Sequence, residues 1–133
     1  LAAAVDRFPP DTRWRVGHLG VLAAVAAYTE GEAWLDELLV TLDQRRAQLG
    51  RLLAAQLPQV SWHPPQATFL AWLDCSAIGP DDTARDQFLD RGRVALEPGL
   101  RFGAPGGGYA RLNFGTSEEI LDEAIGRMAK ALT

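Results

Sequence analysis

The apolar residues in the first half of the chain recur with the period of an α-helix. Leucines occur every three or four residues from Glu32 to Leu57, which places them on one helix face. The preceding run, Val16 to Tyr28, is rich in alanine and apolar nearly all round, and it predicts a second helix that needs partners on several sides. At roughly 1.5 Å per residue the longer helix would span about 39 Å. We therefore expect it to bridge two domains.

The second half of the chain changes to the patterns of short strands. Val60 to His63 and Val94 to Leu96 are short candidates, and Thr68 to Asp74 has apolar residues on both faces, which predicts a central strand. A last strand, from Tyr109 to Phe114, alternates strictly between two faces. Its apolar face holds Ala110, Leu112 and Phe114, and its polar face holds Tyr109, Arg111 and Asn113.

Helices separate these strands and define the fold class. Asp81 or Asp82 is predicted to begin a helix that ends at Gly92, and Thr116 is predicted as the N-cap of the closing helix, with Glu119 completing a capping box. Strands alternating with helices over one small sheet predict an α+β fold. We expect a two-layer sandwich with a mostly antiparallel sheet, preceded by the long helix. The basic residues of that helix, Arg45, Arg46 and Arg51, are expected on a solvated face.

Composition excludes several classes of function. The chain has 133 residues, 47% of them hydrophobic, and a net charge of -4, so no basic surface is predicted for nucleic acid. No run approaches the roughly 20 apolar residues of a membrane span. Cys75 is the single cysteine, which we interpret as a small buried hydrophobe, and no secretory signal occurs, so the cytoplasm is expected. Because the sequence starts without methionine, we expect it to be part of a longer protein.

The stretch from Glu97 to Phe114 is the best candidate for chemistry. It is a glycine-rich loop that leads into a strand, and Arg111 lies on the polar side of that strand. A planar guanidinium on a rigid strand is suited to bind a carboxylate through two hydrogen bonds, although a solvated or ion-paired arginine fits the same pattern. The glycines do not have the spacing of a phosphate-binding loop, and no hydrolase nucleophile motif is present.

The other candidate residues favour structural roles. His18 and His63 are far apart in sequence, with no further ligands at metal-binding spacing. Lys130, the single lysine, falls in the last turn of the closing helix, where a cation stabilises the helix dipole. The residues alone therefore leave one arginine beside a cleft-lining loop, without an assigned reaction.

Several motifs in order resemble one enzyme family. Residues 27–36, 67–74, 94–99 and 109–114 are similar to segments of the fold-type I, pyridoxal-phosphate-dependent aminotransferases, in particular their cystathionine beta-lyase branch. The resemblance extends from about Val16 to the C-terminus. It implies the C-terminal small domain of such an enzyme in 32–133, with a remnant of the large domain and the linker helix in 1–31.

The resemblance also implies roles for particular residues. In this family the arginine matching Arg111 holds the α-carboxylate of an amino-acid substrate, and Phe102, Gly103 and Tyr109 are expected to line the site entrance. The family's Schiff-base lysine lies in the large domain, before the matching region, so no catalytic residue is expected in this chain. The resemblance further implies a homodimer, in which pyridoxal phosphate would act as the electron sink for removal of the α proton before a thiolate leaves the β carbon.

The resemblance leaves three hypotheses for the function. The first is part of a carbon-sulfur beta-lyase acting on cystathionine or a cysteine-like thioether, inactive and without bound cofactor on its own. The second is the same part of an aminotransferase, which uses the same carboxylate anchor. The third is a non-catalytic binding or regulatory module of the same fold. We also expect self-association through the apolar helix from Val16 to Tyr28.

Overall fold

The computed structural model describes residues 17–133. The loop or strand remnant predicted for Leu1 to Arg15 lies outside these residues. The chain divides into two compact units, one ending at Leu39 and one beginning at Val40. The predicted domain boundary between residues 31 and 32 stays a prediction.

The first unit contains the apolar helix and the start of the long helix. Helix α1 covers His18–Glu30, and helix α2 covers Glu32–Gln56, each within two residues of its predicted bounds. Gly31 separates them because a Cβ at this position would overlap the carbonyl oxygen of Ala27. All described side chains of α1 are exposed, including its large apolar residues. These residues are Leu19, Val21, Leu22, Val25 and Tyr28.

The second unit is built on a small antiparallel sheet. Its strands are β1 (Ser61–Trp62), β2 (Leu70–Asp74), β3 (Glu97–Pro98) and β4 (Tyr109–Asn113), in the order β1-β2-β4-β3. Every neighbouring pair is antiparallel, and β2 is internal as predicted. The α+β fold class is therefore confirmed.

The strand predicted at Val94 to Leu96 is wrong by about two residues. The paired residues are instead Glu97 and Pro98, opposite Arg111 and Ala110 of β4. Proline lacks the N–H that a central strand must donate, but an edge strand tolerates it because one of its sides has no partner strand. The sequence pattern indicated a turn at Pro98, and only the position of β3 at the sheet edge permits a strand there.

Helices cover one face of the sheet and leave the other open. Helix α3 covers Thr83–Asp90, and helix α4 covers Glu118–Ala131. Together with the C-terminal half of α2 they bury the apolar face of β2 and β4 in one core. Its largest fully buried side chains include Leu49, Leu53, Leu73, Phe88, Phe114, Leu121, Ile125 and Met128. The alternation predicted for β4 is confirmed, and the polar side of the sheet remains accessible.

Arg45 joins two helices, contrary to the prediction of a solvated face. Its Nη1 atom lies 3.1 Å from Glu118 Oε2, and its side chain is 14% exposed. The neighbouring Gln48 is buried and donates to Glu118 O and Asp122 Oδ1, both at 3.0 Å. Arg46 also donates to Pro65 O at 2.8 Å. These partners are remote in sequence, so helical spacing alone could not identify them.

The N-cap of α4 is Ser117, and the prediction of Thr116 is wrong by one residue. Ser117 Oγ accepts a hydrogen bond from the N–H of Ile120 at 3.3 Å. At the start of α3, Asp82 occupies the N-cap position as predicted, but its side chain makes no capping hydrogen bond. Both Thr116 and Ser117 are good capping residues, so backbone geometry decides between them.

Replacing Ser117 with alanine is expected to lower the free energy of unfolding by about 1 kcal/mol, because the N–H of Ile120 loses its acceptor. Urea denaturation followed by circular dichroism measures this change. Thr116→Ala is the matched control and should change the unfolding free energy by less than about 0.5 kcal/mol. A larger loss for Thr116→Ala than for Ser117→Ala would restore the cap predicted from sequence.

Candidate functional site

Arg111 lies in the middle of the open face of the sheet. Its neighbours in register are Trp72 on β2 and Glu97 on β3. Residues directly opposite each other on antiparallel strands share a face, so the three side chains form one row across the sheet. Arg111 is half-buried, whereas Leu112 beside it is buried in the core. The strand therefore presents the guanidinium away from the core.

Three aromatic rings contact one another beside Arg111, and we call Trp72, Phe102 and Tyr109 the aromatic cluster. The Arg111 Cζ atom lies 4.8 Å from the centroid of the Phe102 ring, a cation-π contact. Trp72 meets Phe102 edge-on at 5.4 Å and stacks on Tyr109 at 5.6 Å, measured between ring centroids. The rings thus form a continuous wall beside the guanidinium.

Four residues were predicted to line the site, and the structure brings the side chains of three of them close together. It also adds one residue, Trp72. Phe102, Tyr109 and Arg111 meet as described, and Gly103 follows Phe102 in the loop. Trp72 was not among the predicted site residues. The strand alternation of β2 had placed it on the face with Asp74, and knowledge of the register with β4 would have identified it.

The guanidinium of Arg111 has no ion pair or side-chain hydrogen bond to any residue in the described range 17–133. The nearest carboxylate in register, that of Glu97, pairs with Arg101 instead, at 2.6 Å. Phe102 contacts the guanidinium through its ring, and no residue of the described range accepts a hydrogen bond from the guanidinium N–H groups. A planar fork of free donors is the arrangement that binds a carboxylate through two hydrogen bonds.

The glycine-rich loop presents Phe102 by means of two short turns. They are 3-10 helices at Gly99–Phe102 and Ala104–Gly106, joined at Gly103 with a φ of 119°. A positive φ of this size is easily adopted only by glycine, so Gly103 contributes backbone geometry and no side chain. The loop is held to the sheet where Cys75 N–H donates to Gly108 O at 2.8 Å.

The end of β2 carries a carboxylate and a thiol with opposite environments. Ser76 donates to Asp74 Oδ1 from its hydroxyl at 2.6 Å and from its N–H at 3.0 Å. These hydrogen bonds, followed by smaller contributions from Tyr109 and Ser61, lower the pKa of Asp74. Burial raises the pKa of the Cys75 thiol to about 12, with a smaller contribution from the charge of Asp74. The burial predicted for Cys75 is confirmed.

Cys75 makes the folded domain sensitive to alkaline pH. Its thiol ionises near pH 9.0 when exposed but only near pH 12 in the fold, so the contribution to stability is complete below about pH 9 and is lost as the pH rises from 9 to 12. We expect urea denaturation to show that the free energy of unfolding falls over this pH range. In Cys75→Ala or Cys75→Ser the free energy of unfolding should depend less on pH.

Native protein at pH 8 should also react with a thiol reagent far more slowly than unfolded protein. Equal rates would contradict the burial of the thiol.

The remaining candidates lie apart from Arg111. Lys130 is in the last turn of α4, a helix that packs on the covered face of the sheet. In residues 17–133 no group of three or more acidic, histidine or cysteine side chains could hold a metal ion. Over the same residues no helix is both long and apolar enough to cross a membrane.

Comparison with known proteins gives relatives but no family model that matches the chain. A Mycobacterium tuberculosis protein, provisionally named a cystathionine beta-lyase, is 43% identical over 98% of this chain and 36% of its own length. The cystathionine beta-lyase PatB of Bacillus subtilis is 40% identical over 85% of the chain and 30% of its own length. The chain thus spans about a third of the length of the curated relatives it matches.

Solved structures have the same fold. The pyridoxal-phosphate-bound C-S lyase from Staphylococcus hominis superposes with a TM-score of 0.79 and 27% identity, over 91% of this chain and 33% of its own. Among the curated relatives, aminotransferases match at lower identity than the cystathionine beta-lyases. The aspartate aminotransferase of Pyrococcus horikoshii is 30% identical over 84% of the chain and 29% of its own length.

Proposed function

The chain is homologous to cystathionine beta-lyases over about one third of their length. On this premise we propose that it forms the carboxylate-binding part of a pyridoxal-phosphate-dependent carbon-sulfur beta-lyase. One observation carries the proposal: Arg111 lies on the open sheet face with an unpaired guanidinium among the described residues. The substrate class is an L-amino acid with a thioether at the β carbon, such as cystathionine.

Arg111 would bind the α-carboxylate of the substrate through two charge-assisted hydrogen bonds. Phe102 contacts the guanidinium, with the Arg111 Cζ atom 4.8 Å from its ring centroid, and the planar group would keep its N–H donors for the two carboxylate oxygens. The aromatic cluster would displace water from the base of the site once a substrate covers it. Hydrogen bonds between charged groups are stronger where water is excluded, so the cluster would tighten carboxylate binding.

The residues of this chain do not fit the attachment of the cofactor. Lys130 is the single lysine, and its helix packs on the sheet face opposite Arg111. We therefore propose that the cofactor-binding lysine belongs to another part of the enzyme, and that this chain by itself neither binds pyridoxal phosphate productively nor turns over substrate. Absorbance spectra with added pyridoxal phosphate test this. Lyase activity of the isolated chain that is lost when borohydride fixes the cofactor to Lys130 would contradict it.

The decisive assay separates the lyase from the aminotransferase. We expect the intact enzyme to release pyruvate and homocysteine from L-cystathionine, and to transfer amino groups to keto acids far more slowly. The aminotransferase is the second candidate because the aspartate aminotransferase match covers most of the chain. Amino transfer faster than pyruvate release would favour the aminotransferase. Absence of both activities with cofactor present would favour a non-catalytic module.

A homodimer in the cytoplasm is the proposed setting. The exposed apolar side chains of α1 support burial against further protein, since a helix with no buried residue is otherwise poorly stabilised. Sedimentation of the isolated chain tests the self-association predicted from sequence. A monomer at every concentration would contradict self-association through α1.

A further inference from the structure

Glu97 is the carboxylate best placed within the sheet to pair with Arg111. The two residues are direct partners in the register of β3 and β4, and both are half-buried. Side chains directly opposite each other on antiparallel strands have Cβ atoms about 4.5–5.5 Å apart, and opposite charges at such positions normally attract. An ion pair between Glu97 and Arg111 is thus the arrangement that register and charge favour.

The structure shows a different pairing. Glu97 Oε2 accepts from Arg101 Nη1 at 2.6 Å, and Arg101 is four residues further along, in the 3-10 turn that follows β3. Arg111 contacts the Phe102 ring instead. Arg101 is itself largely exposed, with 67% of its side chain accessible, so its contribution to the core is small.

We propose that Arg101 is a positioning residue that withholds Glu97 from Arg111, so that the guanidinium of Arg111 stays free for the substrate carboxylate. This inference rests on the function proposed for Arg111. A released Glu97 would be an intramolecular competitor at high effective concentration, because its backbone is fixed beside Arg111. The ion pair with Arg101 removes this competitor because it holds the Glu97 carboxylate on another guanidinium.

Competition with the substrate predicts a specific kinetic pattern. Loss of Arg101 should weaken binding of substrate and transition state alike, which raises KM and leaves kcat unchanged. Exposed ion pairs contribute up to about 1 kcal/mol, which corresponds to roughly a fivefold change in affinity. We therefore expect Arg101→Ala to raise KM for L-cystathionine about three- to fivefold in the intact enzyme.

The double variant Glu97→Gln/Arg101→Ala separates competition from simple damage to the loop. Arg101 precedes Phe102, so Arg101→Ala could also displace that ring. If Glu97 competes for Arg111, removing its charge returns KM to within about twofold of the wild-type value. If the loop is displaced, the double variant stays as impaired as Arg101→Ala. The second result overturns the inference.

Arg127→Ala is the matched control. Arg127 pairs with Glu123 at 2.5 Å, and the two are four residues apart, as Glu97 and Arg101 are. This pair lies on helix α4, which packs on the covered face of the sheet. Its removal should leave KM and kcat unchanged. A crystal structure of Arg101→Ala gives a readout independent of activity, because Glu97 should then lie within ion-pair distance of Arg111. A Glu97 side chain turned to solvent in that crystal structure would overturn the inference.

The outcomes also distinguish this inference from the proposed function. A large loss of activity in Arg111→Gln, together with wild-type KM in Arg101→Ala, overturns the role of Arg101 and leaves the role of Arg111 standing. Wild-type kinetics in Arg111→Gln overturns both.

Discussion

Arg111→Gln is expected to lower kcat/KM of the intact enzyme for L-cystathionine by about 10²- to 10⁴-fold. Two charge-assisted hydrogen bonds to the substrate carboxylate are lost, each contributing about 1.5–3 kcal/mol, and 1.36 kcal/mol corresponds to a factor of ten. Steady-state assay of pyruvate release measures the change. Arg111→Lys retains the charge but not the planar fork, so we expect a smaller loss that remains at least about tenfold.

The fold should tolerate the loss of Arg111. The side chain is half-buried and makes no ion pair within the described range, so the main contact removed is the cation-π contact with Phe102. That contact contributes about 0.5–1 kcal/mol at an accessible site, which sets the expected loss of unfolding free energy. Arg127→Gln serves as the control of equal charge change. Activity within a factor of two of wild type in Arg111→Gln would contradict its role as the carboxylate anchor.

Gly99→Ala is expected to cause the largest loss of stability, about 3 kcal/mol. A Cβ at Gly99 would overlap the carbonyl oxygen of Gly106 and would lie 2.6 Å from Tyr109 O. Both obstacles are backbone atoms, which cannot rotate away as a side chain can, so the two turns of the loop must separate. Because this loop carries Phe102, activity of the intact enzyme should fall as well.

Gly107→Ala is the control within the same loop. Its Cβ would meet Asp81 Oδ1 at 3.4 Å and Leu100 Cδ2 at 3.6 Å, which are ordinary contacts, and its φ of -57° suits alanine. We expect an unfolding free energy equal to or slightly above that of wild type. Urea denaturation of both variants measures the contrast. Equal stability of the two variants would show that the close approach of Gly99 and Gly106 does not constrain the loop.

Much of the fold could be predicted because local patterns specify it. The leucine period from Glu32 and the alternation from Tyr109 predicted α2 and β4 correctly, since each depends on which side chains face the core. The errors have a common cause. The N-cap is Ser117 and not Thr116, and β3 begins at Glu97 and not at Val94. In both places the local sequence is compatible with either position. In such cases the packing of the rest of the domain decides.

The candidate site shows the same division. The strand alternation indicated that Arg111 faces away from the core, and the family resemblance supplied Phe102 and Tyr109 as neighbours. Neither indicated that Trp72 contacts both Phe102 and Tyr109, or that Glu97 pairs with Arg101. Trp72 is remote from Arg111 in the chain, and only the pairing of β2 with β4 places it there.

The sequence by itself determined which residues of each helix and strand face the core, and hence that Arg111 is presented on the open face of a small sheet. This follows because side-chain direction repeats with the local backbone period. Only the tertiary structure showed that Arg111 forms no ion pair within residues 17–133. The choice of Glu97 between two arginines depends on strand register and on the turns held together at Gly99 and Gly106, and these arise from contacts between distant segments.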